Sequence, residues 1–132
     1  MTIRNFICSI SDETVAAVEA RLDPSPVHGA DLRFHGVVRD LEEDRKISGI
    51  DYSFYEAMAE RELNRIGEAM ISEFPEHRAV IHHQIGFVSV GVASILIRVQ
   101  TAHSAEAFEI CREYLKRIKT TVPIWKKPIF ED

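Results

Sequence analysis

Two lysines near the end of the sequence, Lys119 and Lys126, are the side chains best suited to chemistry. A lysine binds an anion as a point charge, and it acts as an acid, base or nucleophile when neighbouring charges or burial lower its pKa. Other cations crowded around these two would have that effect. Their separation of seven residues does not itself bring them together, because the predicted helix that carries Lys119 ends between them. Two solvated lysines are the alternative interpretation.

Arg39 and His103 are further candidates for binding an anion. Arg39 follows an apolar strand and Gly36, at a point where the backbone can approach a ligand, and its planar guanidinium could hold a phosphate or a carboxylate. His103 immediately precedes a predicted helix, whose free amides favour anions. The alternatives are a surface arginine at a strand end and a histidine in a turn or helix cap.

The remaining reactive or aromatic side chains indicate less. Trp125, the only tryptophan, could form the wall of a pocket for a flat heterocycle, or it could pack in the core. Cys8 and Cys111 are too few for a disulfide scaffold, and Cys111 lies on an apolar helix stripe, which predicts a buried thiol. His82 and His83 are adjacent in a strand and therefore point to opposite faces, so we predict no metal site.

Composition and charge narrow the class of protein. The 132 residues, 45% hydrophobic and 28% charged, are typical of a single globular domain spanning 1–132. The net charge of −5 divides unevenly: residues 112–127 hold six basic residues and one acidic residue, and the rest of the chain is acidic. This pattern argues against a general nucleic-acid binder, including an RNA-binding domain, and favours a compact anion or the acidic tail of a partner. Without a long apolar run or a signal peptide, a cytoplasmic location is expected.

The elements that must position these residues can be predicted from apolar spacing and from breakers. Strands are expected at residues 3–8, 30–34, 50–54, 79–85 and 93–99, and helices at residues 11–23, 57–74 and 104–121. Residues 40–46, with six charges, predict an exposed, mobile loop, and Gly86 and Gly91 predict an antiparallel turn. The buried stripe of the third helix is predicted to be Phe108, Cys111, Leu115 and Ile118. The order of elements indicates an α+β fold with a mixed or mostly antiparallel sheet.

Several segments together resemble one known family. They are residues 29–34 with Gly36-Val37-Val38-Arg39, residues 55–59, the turn with Ile85-Gly86 and Val90-Gly91, Ala102-His103, and Val122-Pro123-Ile124-Trp125-Lys126-Lys127. In this order, and over nearly the whole chain, they are similar to the large, catalytic subunits of molybdopterin synthase, the MoaE family. The lysine-rich Pro-Ile-Trp-Lys-Lys segment is the specific part of the match. The resemblance implies a hammerhead-type α+β domain.

The resemblance also implies an activity and its residues. Members transfer sulfur from the C-terminal Gly-Gly thiocarboxylate of a small ubiquitin-like carrier of the MoaD type to cyclic pyranopterin monophosphate, which forms the dithiolene of molybdopterin. A homodimer within a heterotetramer is implied, with no cofactor and no metal. Lys119 and Lys126 would be catalytic. The implied substrate-binding residues are Val37, Val38, Arg39, His103, Ser104, Lys127 and Pro128, with His103 reaching in from the neighbouring subunit.

The chain departs from the family pattern at three positions and in its length. Ser104 and Gln84 stand where arginines are usual, Pro128 stands where an acidic residue is usual, and the sequence stops at Asp132. The serine most directly affects phosphate binding. A diverged paralogue that has lost phosphate binding, or a non-catalytic dimeric α+β binding module, is therefore the alternative to the enzyme.

Overall fold

The computed structural model describes residues 5–131, over which the chain forms eight strands and three helices. The strands are β1 (Phe6–Ser11), β2 (Ala30–Val37), β3 (Leu41–Glu42), β4 (Arg45–Phe54), β5 (Arg78–Gln84), β6 (Gly86–Ser89), β7 (Ala93–Thr101) and β8 (Ile124–Phe130). The helices are α1 (Val15–Glu19), α2 (Glu56–Glu73) and α3 (Ser104–Thr121). The predicted α+β class is confirmed. Residues 3 and 4 of the predicted first strand lie outside the described part. None of the described helices has the length and apolar character that crossing a membrane requires.

The first sheet has the strand order β1-β5-β7-β2. β1 runs parallel to β5, and the other two pairs are antiparallel, so the sheet is mixed as predicted. Helices α2 and α3 pack on one face, where Leu63, Ile81, Ile97 and Tyr114 are almost fully buried. Removing a side chain of this size from such a core costs about 2–5 kcal/mol. α1 packs on the opposite face through a smaller cluster.

The second sheet is built around β4. β6 and β8 both pair antiparallel with β4, and because their registers overlap at residues 49–52 they occupy its opposite edges. A separate apolar cluster fills this part of the molecule, and it contains Val38, Ile47, Ile50, Tyr52 and Val88. The two sheets come together beside the last turn of α3.

Residues 40–46 differ from the predicted mobile loop. They form a tight hairpin in which β3 pairs with the start of β4. Glu43 and Asp44 make the turn with φ values of 52° and 61°, the left-handed conformation that two-residue hairpin turns require. The segment is exposed as predicted, apart from half-buried Glu42, but it is a hairpin rather than a loop, because charged side chains do not prevent backbone pairing at an exposed position.

Helices α1 and α3 also differ in detail. Thr14, rather than Ser11, caps α1, accepting a hydrogen bond from the Ala17 amide at 3.0 Å, and the helix ends at Ala20, before Pro24. In α3, Cys111 and Ile118 are buried as predicted, but Phe108 is 60% exposed. The buried stripe is centred one position away, on Ala107, Ile110, Cys111, Tyr114 and Ile118.

Besides β3, two further strands were not predicted. The connection between β5 and β7 was interpreted as a simple turn, but it contains β6, with positive φ values at Gly86 and Gly91 at its ends. Beyond α3 the chain forms β8, which contains Pro128. Proline is compatible with this position because β8 pairs only with β4 and is therefore an edge strand. β8 decides where Lys126 lies.

Candidate functional site

A cavity of about 720 Å³ opens where the two sheets meet the end of α3. β2, β4, β5, β7, α3 and β8 each contribute to its wall. Its polar lining side chains are Arg39, Tyr52, His83, Ser94, Lys119 and Lys126, and the rest of the lining is mostly apolar. This volume is in the range of about 300–1,000 Å³ that small-molecule sites occupy.

The break after α3 brings Lys119 and Lys126 into this one cavity. Lys119 lies in the last turn of α3, where the helix dipole favours a cation. Val122 is the C-cap, and Pro123 cannot continue the helix, so the chain turns back as β8. Pairing with β4 then places Lys126 opposite Tyr52, another residue of the cavity wall. Lys119 and Lys126 therefore line one cavity, which their spacing in the sequence could not establish.

Arg39 reaches the cavity from the end of β2. The β2–β7 register shifts between Gly36 and Val37, and the chain beyond is held by hydrogen bonds between Val38 and the 91–92 turn, at 2.8 and 3.1 Å. A Cβ atom at Gly36 would lie 2.5 Å from Ile95 Cγ2, so glycine lets β2 pass close to β7 here. The bulge directs Val37 and Arg39 to the cavity, and Val38 packs in the second core instead.

The charge of the cavity is one-sided. Among the residues that the structure describes, its lining contains Arg39, Lys119 and Lys126 but no aspartate or glutamate. Within residues 5–131, none of these three cations has a carboxylate oxygen within ion-pair distance. All three side chains are exposed to solvent, so an anion that enters the cavity meets several cations without having to displace a carboxylate. The site is therefore built to receive anionic groups.

His83 and Tyr52 form a part of the wall that the sequence analysis had not assigned to the site. His83 is 5% exposed, and its Nδ1 lies 2.8 Å from the Gln84 carbonyl oxygen. The Tyr52 and Phe54 rings contact it edge-on, each with a centroid separation of 4.9 Å. Burial lowers the pKa of His83 to about 4, so the ring is neutral at pH 7. His82 points to the other face, as predicted, with Nε2 2.7 Å from the Glu13 carbonyl oxygen. The sequence did contain one sign of this role for His83: it is a histidine on the same face of β5 as the apolar residues Ala79 and Ile81.

Other predicted site residues lie outside this cavity in the single chain. Lys127 follows Lys126 on β8 and so points to the opposite face, where it is paired in register with Asp51, and Pro128 is opposite Ile50. His103 and Ser104 lie at the other end of α3, and 15 residues of helix separate Ser104 from Lys119 by about 22 Å. One chain alone therefore does not bring His103 and Ser104 to the two lysines.

Trp125 does not pack in the core, because its side chain is 58% exposed and contacts the Tyr55 ring edge-on at a centroid distance of 6.3 Å. It lies outside the lysine cavity and instead lines a second cavity of about 240 Å³ with Ser53, Phe54 and Tyr55. Gln84, which stands where the family pattern has an arginine, is buried, and its Oε1 has no hydrogen-bond partner among the described residues. Within the described range, no three His, Cys, Asp or Glu side chains are grouped as metal ligands would be.

Comparison with known proteins identifies the family. The family model described as "MoaE protein" matches residues 9–121. A molybdopterin synthase catalytic subunit from Halalkalibacterium halodurans is 38% identical over 107 residues, 81% of this chain and 69% of the relative. One from Taeniopygia guttata is 33% identical over 98% of this chain and 84% of the relative. The crystal structure of molybdopterin synthase from Staphylococcus aureus superposes with a TM-score of 0.81 at 30% identity, covering 99% of this chain and 95% of that one. With a matched family model over most of its length and relatives above 30% identity, this chain belongs to the MoaE family.

Proposed function

We propose that this chain is the catalytic subunit of a molybdopterin synthase and acts in molybdenum cofactor biosynthesis. It transfers sulfur from the C-terminal thiocarboxylate of a small ubiquitin-like carrier to cyclic pyranopterin monophosphate. The observation that carries the proposal is a cavity whose described lining has three cations and no carboxylate, in a member of the family whose relatives bear that name. A reaction between an anionic carrier tail and a phosphorylated substrate needs such a cavity, because only cations offset the repulsion between them.

The two lysines have roles that follow from their position. Lys119 and Lys126 line the same cavity, and no carboxylate between residues 5 and 131 pairs with either, so their ammonium groups can hold the thiocarboxylate. For the carrier to leave as a carboxylate, water must replace the sulfur on its terminal carbonyl carbon, and this exchange develops negative charge on oxygen. An adjacent ammonium stabilises that charge and can supply or accept a proton. Arg39 is the cation whose forked geometry best fits the phosphate.

A homodimer would complete the site. The outer edge of β2 is unpaired among the described strands, and Phe108 is exposed on α3, which packs against β2. If these surfaces meet across a two-fold axis near the middle of α3, the two helices run antiparallel. The partner subunit's His103 and the partner subunit's Ser104 then lie near Lys119. This arrangement supplies the substrate contacts that the single chain leaves about 22 Å away.

Reconstitution tests the proposal directly. Purified chain is mixed with thiocarboxylated carrier and cyclic pyranopterin monophosphate, and the dithiolene product is measured. We expect product from the wild-type chain and none above background from Lys119→Ala. Lys116→Ala is the matched control, because Lys116 is exposed on the same helix and does not line the cavity. Wild-type turnover by a folded Lys119→Ala chain would contradict the mechanism. Tight pterin binding without any product would favour a non-catalytic binding module.

A further inference from the structure

Among the side chains of the cavity wall, hydrogen-bond donors outnumber acceptors. Lysine and arginine side chains only donate, and they supply the three charged groups of the wall. The lining side chains that can accept a hydrogen bond are Tyr52, Ser94 and His83. Ser94 donates its hydroxyl to the Gly36 carbonyl at 3.3 Å, and a tyrosine hydroxyl can donate as readily as it accepts. His83 therefore requires separate consideration.

The hydrogen bond at one ring nitrogen fixes what the other can do. A carbonyl oxygen only accepts, so His83 Nδ1 must carry the hydrogen that it shares with the Gln84 carbonyl. Burial keeps the ring neutral, and the nearby charge of Lys126 acts in the same direction, as does His82 from the far side of the strand. Nε2 consequently holds an unprotonated lone pair. It is an acceptor that cannot donate.

This nitrogen is also held in place and open to a ligand. The Tyr52 and Phe54 rings lie edge-on against the imidazole and limit its rotation. Nε2 forms no hydrogen bond within the described residues. It is nevertheless accessible, because among those residues the one fully buried side-chain oxygen or nitrogen without a hydrogen-bond partner is Gln84 Oε1, not His83 Nε2. Because His83 is part of the cavity wall, its free lone pair is available to a molecule inside the cavity.

We propose that His83 is a specificity-determining residue of this site, whose Nε2 accepts a hydrogen bond from a ring N–H of the substrate's heterocycle. This inference rests on the proposed function, which supplies a nitrogen heterocycle as substrate. The cations satisfy the phosphate and the thiocarboxylate, but they cannot pair with a ring N–H. A donor buried without an acceptor is costly, so losing this contact should weaken binding by about tenfold to a hundredfold. His83 thus selects a heterocycle, whereas the cations select its charge.

Two substitutions separate the acceptor from the packing. His83→Gln retains an acceptor oxygen near the position of Nε2, and His83→Leu fills similar space without one. We expect His83→Leu to raise the dissociation constant for cyclic pyranopterin monophosphate at least tenfold and to leave carrier affinity unchanged. His83→Gln should recover most of the loss. His35→Leu is the control, because His35 is exposed and bonded to Glu19 outside the cavity. Equal affinities in folded His83→Leu and wild-type protein would overturn the inference.

A spectroscopic measurement keeps the test valid if these variants fold poorly. In wild-type protein labelled with ¹⁵N-histidine, the His83 Nε2 resonance should be that of an unprotonated nitrogen at pH 7. It should move towards the hydrogen-bonded range when the pterin is added. Sulfate, which binds cations but has no N–H, should leave it unmoved. If the pterin does not change the resonance, no substrate donor uses this lone pair. The same conclusion follows if the resonance of the free protein is already in the hydrogen-bonded range and leaves it in Lys126→Met, because Lys126 is then the donor.

The outcomes of these experiments separate a failure of the His83 inference from a failure of the proposed function on which it rests. If wild-type protein binds the pterin and shows the Nε2 shift but forms no product with thiocarboxylated carrier, the proposed reaction is wrong and the recognition by His83 stands. If product forms and His83→Leu binds the pterin as tightly as wild type, only the inference is wrong. If the wild-type chain does not bind the pterin, both are wrong.

Discussion

Lys126 lies directly opposite Tyr52 in the antiparallel pair of β8 with β4, and both side chains face the cavity that Lys119 enters from the end of α3. The adjacent Lys127 is opposite Asp51 and faces away. The strand alternation therefore divides two neighbouring lysines into one that reaches the cavity and one that does not.

This division predicts unequal effects of substitution. Lys126→Ala should reduce dithiolene formation at least a hundredfold, because it removes a charge that stabilises the reacting anion. Lys127→Ala should cost less than tenfold, since its charge acts on the site from the other side of the strand. Single-turnover assays with saturating carrier measure both. Comparable losses in the two variants would mean that Lys127 touches a ligand, as the family resemblance implied.

A shared site predicts complementation between two inactive chains. His103→Ala and Lys119→Ala should each abolish or severely reduce activity alone. In random mixed dimers, half of the molecules pair the two variants and each of these holds one intact site, so the refolded mixture should recover about a quarter of wild-type activity. Refolding each variant by itself is the control. No recovery in mixtures shown to contain mixed dimers would contradict a site built from two subunits.

Ser104→Arg should strengthen pterin binding. A serine hydroxyl offers one neutral hydrogen bond, but arginine offers two charge-assisted bonds to a phosphate, and the difference corresponds to about tenfold in affinity. The gain should shrink as salt increases, because Ser104 is exposed. Isothermal titration at two salt concentrations measures this, with carrier affinity as the control. Unchanged pterin affinity would mean that another residue already holds the phosphate.

The cysteines should be dispensable for sulfur transfer. Burial raises the pKa of both the Cys8 and Cys111 thiols, which keeps them protonated and poorly nucleophilic at pH 7. The double variant Cys8→Ser, Cys111→Ser should retain its activity per folded molecule, although the buried hydroxyl at position 111 should lower stability by about 1–3 kcal/mol. Activity normalised to folded protein tests this. Complete loss of activity in folded protein would assign a cysteine to the reaction.

Stability should fall between pH 6.5 and pH 4 because of buried histidines. The pKa of His83 is about 4 in the folded chain and about 6.5 when unfolded, so in this window the unfolded chain binds the extra proton. The free energy of unfolding should decrease by up to about 3 kcal/mol as the pH is lowered. Burial also lowers the pKa of His77, which adds to the loss. Urea unfolding at pH 7 and pH 4.5 measures it, and His83→Gln should show a smaller pH dependence. An identical dependence would exclude His83 as its source.

The sequence predicted the elements with strong apolar periodicity and missed those without it. β5, β7, α2 and the extent of α3 were evident from their spacing, and the mixed α+β class followed from their order. β8 was missed because Ile124–Phe130 contains adjacent lysines and a proline and shows no alternation of apolar and polar residues. The segment becomes a strand through its pairing with β4, which is distant in the sequence. Phe108 was placed in the core because hydrophobicity alone does not distinguish a core residue from one on an exposed surface.

The candidate site was predicted unevenly for a related reason. The sequence indicated Lys119 and Lys126 as candidate anion-binding residues, but it could not show that they lie together, because the position of Lys126 depends on the pairing of β8 with β4. Arg39 was identified from its position after a strand. His83 was considered only as a metal ligand, because its role depends on which neighbour bonds Nδ1 and on how deeply the ring is buried. Neither property can be obtained from one sequence.

The position of Trp125 makes the strand of the site visible to fluorescence. As the only tryptophan in the sequence, it is adjacent to Lys126 on β8 and contacts Tyr55 at the end of β4 rather than the core of the first sheet. β8 is an edge strand paired with a segment at least 70 residues earlier in the chain, so we expect it to detach more readily than the first sheet unfolds. Intrinsic emission would then report the docking of β8, and circular dichroism the rest of the chain. Comparing the two signals in mild urea would follow the opening of the lysine site in unlabelled protein.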